Sequence, residues 1–187
     1  MKYSIAIIKD MARRIGTPII YFWGHHPGAN KITATCMSQW YECRFVVDGV
    51  QYHTAEQYMM AAKARLFGDD MAWQAIMEAS TPQEYKKWGR KVKNFDSATW
   101  NAHKFGIVVA GNIAKFSQNP HLKSFLLSTG NAILAEASPY DAVWGIGMDK
   151  KQAEKAGPEA WQGENLLGLA LMEVRDMLKE KEDGLCS

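Results

Sequence analysis

Long apolar runs, paired cysteines and a large net charge are all missing from this sequence of 187 residues. No apolar stretch approaches the roughly 20 residues that a membrane-spanning helix requires. The apolar run at residues 3–8 is too short for a signal peptide. The cysteines, Cys36, Cys43 and Cys186, form no CxxC pair and no disulfide framework. We therefore expect reduced thiols in a cytoplasmic protein that has no membrane partner.

Signals for several common functions are also missing. The formal net charge of +2 is too small to indicate nucleic-acid binding from the whole-protein field, although a local basic patch is compatible with it. His25 and His26 are adjacent and point to different sides, and no cysteine or carboxylate stands at a zinc-like spacing. We therefore expect no metal and no cofactor. A serine-nucleophile elbow and a Walker loop are absent as well.

The composition is that of a globular protein, with 47% hydrophobic and 22% charged residues. We expect one α+β domain over residues 18–182, mostly helical with a small antiparallel sheet. Residues 1–17 are interpreted as an N-terminal arm or first strand, and residues 183–187 as a C-terminal tail.

Apolar runs and one turn signal predict the strands. Asp48-Gly49 between two alternating runs predicts a hairpin with a type I′ turn. The predicted strands are residues 3–8, 18–23, 44–47, 50–52 and 133–137.

Capping residues predict where the helices begin. Thr54 with Gln57 and Thr81 with Glu84 are capping boxes, and Gly130 is a left-handed stop for a short helix after Pro120. The predicted helices are residues 55–67, 71–79 capped by Asp70, one beginning at Thr81, 97–118 capped by Asp96, and 165–181.

Glu56 is the first candidate for chemistry. It lies two turns before Lys63 on the same face of the predicted helix, with Met59 and Met60 between them. An acid beside methionines is partly desolvated, which would raise its pKa and suit it to proton transfer. A surface glutamate stabilised by the helix dipole has the same spacing, so both interpretations stay open.

A loop after the last predicted strand is the second candidate. Its tryptophan offers a flat face to a base or sugar, and its glycines let backbone approach a ligand. A tight turn that buries an aromatic side chain is the alternative. The candidate residues are Glu136, Asp141, Trp144, Gly145 and Gly147.

Two further residues have two interpretations each. Trp100, in the first turn of the long helix, is either a ligand contact or an ordinary core aromatic. Asn165 begins the last helix, where it either caps the helix or marks free N–H groups that could bind a phosphate.

Taken in order along residues 20–180, these elements resemble the NADAR family, also called YbiA-like. The motifs that carry the resemblance are Met37-Ser38-Gln39-Trp40, the stretch from His53 to Lys63, Gly89-Arg90, Trp100, Leu126 to Gly130, Leu134 to Asp141, Trp144 to Gly147, and Gly163 to Gly168 with Leu171 to Arg175. The chain departs from the family pattern at Gln39, Ala62 and Glu164, where Asn, Gln and Lys are common. The last departure removes a cation near Asn165.

The resemblance implies a YbiA-like fold and a hydrolase that cleaves N-glycosidic bonds to ribose. Family members act on early riboflavin-pathway intermediates or on ADP-ribose, including ADP-ribose attached to guanine in DNA. By matching position, the implied catalytic residues are Glu56, Trp100 and Asp141. The implied substrate-binding residues are Lys63, Arg90, Glu136, Trp144, Gly145, Gly147 and Asn165. The expected partners are a small ribosyl or ADP-ribosyl substrate, with ADP-ribosylated DNA as a further candidate.

Two other classes of function compete with the enzyme. A non-catalytic reader of ADP-ribose or nucleotides would use the Trp144 loop without needing Glu56. A single-strand nucleic-acid binder could stack bases on its tryptophans, but the near-neutral charge argues against it.

Overall fold

A computed structural model describes residues 1–28 and 31–185 of the chain, which divides into two compact units. Unit 1 consists of Met1–Ser38 with Pro120–Ser187, and unit 2 of Gln39–Asn119. Cys36 and Cys43 are thiols, whereas Cys186 lies outside the described residues. No helix within the described ranges is long and apolar enough to cross a membrane.

Helices make up most of the chain, which confirms the predicted mostly helical α+β class. Short 3₁₀ turns also occur at Ala34–Met37 and Pro158–Ala160. In chain order the elements are α1 (Ile5–Ile15), β1 (Ile19–Phe22), β2 (Phe45–Val47), β3 (Val50–Tyr52), α2 (Ala55–Leu66), α3 (Asp70–Glu78), α4 (Pro82–Gly89), α5 (Ser97–Gln118), α6 (Pro120–Ser128), β4 (Ile133–Glu136), α7 (Lys150–Ala156) and α8 (Leu166–Leu185).

The strands form two separate pairs. In unit 2, β2 and β3 are antiparallel, and positive φ angles at Asp48 (50°) and Gly49 (77°) confirm the predicted hairpin turn. In unit 1, β1 pairs with β4 from Ile19–Ile133 to Phe22–Glu136, and this pair is parallel. The prediction of an antiparallel sheet therefore holds for the hairpin alone. Parallel strands require a long connection, and here all of unit 2 lies between them in the chain.

Unit 2 is organised around α2, which packs against α3, α4 and α5. Thr54 caps α2, since its hydroxyl accepts a hydrogen bond from the Gln57 N–H at 3.0 Å. The other half of the predicted capping box is wrong, because Gln57 Oε1 accepts from the His53 N–H rather than from that of Thr54. The predicted caps of α4 and α5 are also confirmed. The cap predicted for α3 is wrong by one residue. Asp69 rather than Asp70 caps that helix, because the two Asp69 carboxylate oxygens accept from the N–H groups of Ala72 and Lys93.

The predicted first strand at residues 3–8 is wrong, because these residues enter α1. The Ser4 hydroxyl accepts from the Ile7 N–H and caps the helix. Ile8 is fully buried while Ile7 is 43% exposed, so one helical face packs inward. Glu159 pairs with Lys9 and Arg13 on α1. The cap and the single buried face therefore favour a helix, although the isoleucines of this segment have a high strand propensity.

The last helix, α8, is held against β4 and the turn before it. The Arg175 side chain is buried and donates from Nη1 to the Thr129 hydroxyl at 2.9 Å and to the Ala132 carbonyl at 2.8 Å. Gly168 lies where α8 contacts β4. A Cβ at this position would lie 2.5 Å from Asn165 Nδ2 and closer still to the Leu134 carbonyl oxygen.

Gly168→Ala should therefore destabilise the protein by about 2–3 kcal/mol, since the added methyl group meets backbone that cannot rotate away. Chemical denaturation monitored by circular dichroism measures the change. Gly184→Ala on the same helix is the matched control, because nothing lies within 4 Å of that position. The control should lose no stability and could gain up to about 1 kcal/mol of helix propensity. Equal stability of the two variants would contradict this account of the contact.

Candidate functional site

The predicted site residues fall into two clusters, one in each unit. The helix cluster of unit 2 contains Glu56, Lys63, Arg90 and Trp100. The loop cluster of unit 1 contains residues 136–147 together with Asn165. Each cluster has its own local geometry.

Glu56 lies in the first turn of α2 and is buried, with 4% of its surface exposed. Its N–H donates to the Gln39 carbonyl at 2.9 Å. Met59 and Met60 are buried on the same helix. The surface-glutamate interpretation is therefore wrong. A carboxyl group in these surroundings is partly removed from water, while the nearby helix N-terminus favours its anionic form.

Gln39 contributes a polar group that the sequence did not single out as a site residue. The Asn112 amide donates to the Val108 carbonyl at 2.8 Å, so its oxygen is the atom that accepts from Gln39 Nε2 at 3.2 Å. This chain of bonds fixes the orientation of the Gln39 amide. Its Oε1 is buried and has no hydrogen-bond partner among the described residues. A buried acceptor of this kind is suited to a water molecule or a ligand hydroxyl.

Lys63 is held at the other end of α2 by a carbonyl and two aromatic rings. Its Nζ donates to the Gly89 carbonyl at 2.8 Å and lies 4.3 Å from the Phe95 ring centroid and 5.4 Å from that of Trp100. Burial lowers the pKa of Lys63. The structure thus brings Lys63 and Trp100 together. Phe95 is a further member of this cluster, and sequence spacing gave no signal for it.

Arg90 follows Gly89 at the end of α4, and its side chain is exposed. Gly89 itself is required by close packing, because a Cβ there would overlap the Met60 side chain. The Gly-Arg step therefore combines a tight helix contact with a cation at the surface. Arg90 forms no salt bridge with any residue in the described ranges.

The loop cluster lies at the carboxyl ends of the two parallel strands. The Phe22 carbonyl on β1 accepts from the Ala137 N–H, and the Glu136 carbonyl on β4 accepts from the Ile146 N–H, both at 2.9 Å. Glu136 and the loop that follows it are thus placed at one edge of this pair. Ligands commonly bind at this edge of parallel sheets.

Asp141 organises the loop through one of its two oxygens. Asp141 Oδ1 accepts from the Val143 N–H at 2.9 Å and from the Trp144 N–H at 2.8 Å. No described residue hydrogen-bonds to Oδ2. Tyr140 precedes Asp141 in the chain, and its exposed ring has its centroid 6.5 Å from that of the exposed Trp23 ring. Asp141 can therefore accept a ligand hydroxyl while it keeps the loop in shape.

The two loop glycines are required by the packing of the loop on itself. A Cβ on Gly145 would lie 2.8 Å from the Asp141 carbonyl oxygen and 2.9 Å from that of Glu136. Gly147 has a φ of 69°, in the left-handed region that favours glycine. These contacts support the tight-turn interpretation of the glycines, and they place Trp144 half-buried in the loop.

Asn165 fastens the loop cluster to the strand. Its side chain is fully buried, donates from Nδ2 to the Leu134 carbonyl at 2.9 Å and accepts at Oδ1 from the Glu136 N–H at 3.1 Å. The side chain therefore bridges to β4 rather than capping α8.

The second interpretation of Asn165, in which free N–H groups at the start of α8 could bind a phosphate, meets a different difficulty. The N–H groups of Asn165, Leu166 and Leu167 donate to the carbonyls of Gly145, Val143 and Trp144 respectively. These donors already have partners within the protein, so a phosphate would have to compete with the loop for them.

Comparison with known proteins identifies the family. The NADAR domain matches residues 21–179. The chain belongs to the NADAR family. It is 45% identical to N-glycosidase R617 of Acanthamoeba polyphaga mimivirus over 161 residues, which cover 83% of this chain and 95% of the relative. N-glycosidase YbiA of Escherichia coli is 33% identical over 132 residues, covering 71% and 74% of the two chains.

Two further comparisons extend the relationship. The chain is 32% identical to the chloroplastic riboflavin biosynthesis protein PYRR of Zea mays over 68% of its own length, which spans 20% of that relative. The solved structure of E. coli YbiA matches with a TM-score of 0.70 and 28% identity, covering 91% of this chain and 93% of that one. The predicted YbiA-like fold is thereby confirmed.

The relatives also show the class of reaction: this NADAR protein is an N-glycosidase, a hydrolase of N-glycosyl compounds. Among the described residues, no three His, Cys, Asp or Glu side chains are arranged to hold a metal ion. The roles of individual side chains in the reaction stay predictions at this point.

Asn165 substitutions should show how strongly this NADAR loop depends on one amide. Asn165→Ala should lower the free energy of unfolding by about 2–4 kcal/mol, since it leaves buried backbone groups of Leu134 and Glu136 without partners. Asn165→Gly should be less damaging by about 1 kcal/mol, because the φ of Asn165 is 52°. Urea denaturation of the three proteins tests both values. A glycine variant as stable as wild type would show that the amide does not hold the loop.

Proposed function

We propose that this NADAR protein hydrolyses the bond between a ribose anomeric carbon and a base or amine nitrogen. Its substrates are ADP-ribose-type groups, including ADP-ribose on guanine bases of DNA, or ribosylamino-pyrimidines of riboflavin biosynthesis. The observation that carries the proposal is the buried carboxyl group of Glu56 at the start of α2. The N-glycosidase relatives support it, and so does the riboflavin biosynthesis protein PYRR among the relatives.

The reaction breaks the C1′–N bond and forms a C1′–O bond to water. The electron pair of the broken bond leaves with the base, and the sugar carbon passes through an oxocarbenium-like state. Glu56 orients the water and accepts one of its protons as the oxygen attacks. The departing nitrogen takes a proton from solvent water, and Glu56 returns its own proton to solvent after the step. Free ribose derivative and free base are the products.

Asp141 and the aromatic residues have supporting roles. Asp141 Oδ2 accepts a hydrogen bond from a ribose hydroxyl. This role fits the oxygen, because the loop N–H groups donate to Oδ1. Trp100 packs against the sugar or base, and Lys63 holds the position of its ring through a cation–π contact. Trp144 and Glu136 are proposed as further contacts from the loop cluster.

The phosphate groups of the substrate require a cation, for which Arg90 is the candidate. Its exposed guanidinium has no carboxylate partner in the described part of the chain and can form bidentate bonds to phosphate. Lys63 is less available, because the Gly89 carbonyl already accepts from its ammonium group. For Asn165 we propose a positioning role, and Gly145 and Gly147 act through the shape of the loop.

Glu56→Gln should lower kcat by at least about 100-fold, because an amide cannot accept the proton of the attacking water. The assay is incubation with guanine-ADP-ribosylated oligonucleotide and, separately, with ribosylamino-pyrimidine phosphates, followed by mass spectrometry of the released base. Glu78→Gln, at an exposed position on α3, is the matched control and should retain full activity. Near-normal turnover by a folded Glu56→Gln protein would make the assignment wrong, and failure to cleave either substrate would refute the proposed substrate class.

Asp141→Asn should separate the structural role of this residue from its chemical role. The amide oxygen can still accept from the Val143 and Trp144 N–H groups, so we expect thermal stability to stay within about 1 kcal/mol of wild type. Loss of the anionic oxygen should lower kcat/KM by roughly 10- to 100-fold, as for a charged hydrogen bond to a hydroxyl. Steady-state kinetics with thermal denaturation of the same samples provides both values. An unchanged kcat/KM would show that Asp141 has no role in the reaction.

A further inference from the structure

The end of α4 and the segment after it concentrate positive charge. Residues 86–93 hold five of the ten Lys and Arg residues of unit 2 and no Asp or Glu. We call Lys86, Lys87, Arg90, Lys91 and Lys93 the basic strip. The weak net charge of the whole chain conceals this local excess.

In the described part of the chain, no cation of the basic strip forms a salt bridge, although Lys87 and Lys93 interact at longer range with the carboxylates of Glu84 and Asp69. The salt bridges among the described residues all join other side chains. The carboxylates of Glu84 and Asp69 accept hydrogen bonds from backbone N–H groups, and one of the donors to Asp69 is the N–H of Lys93 in the strip itself. Lys86 is half-buried and the other four cations are exposed. The charge of the strip is therefore available to an external anion.

An aromatic ring lies among these cations. Trp88 is 36% exposed, and the Lys91 ammonium lies 5.0 Å from its ring centroid. Lys86 lies 6.0 Å from the Trp40 ring centroid. Cations that alternate with a partly exposed indole match the two chemical features of a nucleic-acid strand, which are its phosphates and the flat faces of its bases.

The helix dipole explains only part of this pattern. A helix C-terminus favours cations, and Lys86 and Lys87 lie in the last turn of α4. Lys91 and Lys93 lie beyond the helix and gain little from its dipole. An anionic membrane is a poorer match, because Tyr85 and Val92 are buried in the protein, and the exposed Trp88 and Phe95 offer less apolar surface than the continuous apolar face of an interfacial helix.

We propose that the basic strip binds the phosphate backbone of single-stranded nucleic acid, with a base stacked on Trp88. Apart from Arg90, which is also proposed to contact the substrate phosphate, the strip then acts as a docking surface beyond the residues assigned to hydrolysis. This inference deepens the proposed function, in which a nucleic acid carries the ribosyl group. The binding itself requires neither a modified base nor turnover, so it can be tested separately.

The test uses the full chain, fluorescence anisotropy and an unmodified oligothymidylate strand at several salt concentrations. The variant is Lys87→Gln with Lys91→Gln and Lys93→Gln; Arg90 is left intact because it is proposed to contact substrate. Lys150→Gln with Lys151→Gln and Lys155→Gln is the matched control, with the same change of charge on exposed positions of α7. Circular dichroism confirms that both variants fold.

Wild type and control should bind with an affinity that falls steeply with salt. The basic-strip variant should bind at least about tenfold more weakly at low salt, and its log–log salt dependence should be shallower by about 2, since each lost phosphate contact contributes about 0.7 for a single strand. Trp88→Ala should weaken binding at least about fivefold with an unchanged salt slope, as expected for lost stacking.

Four outcomes would overturn the proposal: no binding by wild type at low salt, equal losses in variant and control, an unchanged slope in the variant, or tighter binding to phosphatidylserine vesicles than to the strand. Hydrolysis of a ribosylamino-pyrimidine phosphate by the basic-strip variant should equal that of wild type. Loss of strand binding with intact hydrolysis would refute neither proposal, because it is the expected pattern. If the wild type bound the strand but hydrolysed no substrate, the proposed function would be refuted and the proposed docking surface would not.

Discussion

The buried amide of Asn165 is the constraint on which the loop cluster depends. It joins the start of α8 to two backbone positions on β4, and the N–H groups beside it hold the carbonyls of residues 143–145. Asp141 then closes the same loop from its other side. A loop fixed at both ends loses little further entropy when a ligand binds. More of the free energy of its contacts with the ligand is then available for binding.

In the helix cluster the main constraint is the free-energy cost of burying a carboxyl group. Glu56 lies in the first turn of α2, where the helix dipole opposes the cost of burying a negative charge. Gln57, its neighbour, is fully satisfied by His53 and Ile76. The side chain that follows Glu56 in the chain is thus held in place by hydrogen bonds. The role proposed for Glu56 requires an ordered environment of this kind.

Features that depend on nearby residues could be predicted from the sequence. Contacts between residues far apart in the chain could not. The caps at Thr54, Thr81 and Asp96 depend on neighbours three residues away, and the sequence places them correctly. Asn165 bonds to positions 29 and 31 residues earlier, so no local pattern shows that its side chain belongs to β4. The isoleucines of α1 suit either a strand or a helix, and the helix is favoured by the Ser4 cap together with the burial of Ile8 beside an exposed Ile7. The burial of Glu56 likewise depends on tertiary packing that spacing cannot show.

The structure also explains why membership of the NADAR family indicates the reaction more firmly than the substrate. Gly89, Gly145 and Gly168 sit where a side chain would overlap the protein itself, so these family motifs describe how the fold packs. Arg90, Glu164 and Tyr140 are exposed, and we expect contacts with the variable part of a substrate to come from such groups. Such positions can change without disturbing the core. Glu164 is such a position: it is exposed, and its N–H donates to the Ala142 carbonyl whatever side chain it carries. We therefore expect a change of charge at this position to leave the backbone of the loop cluster intact.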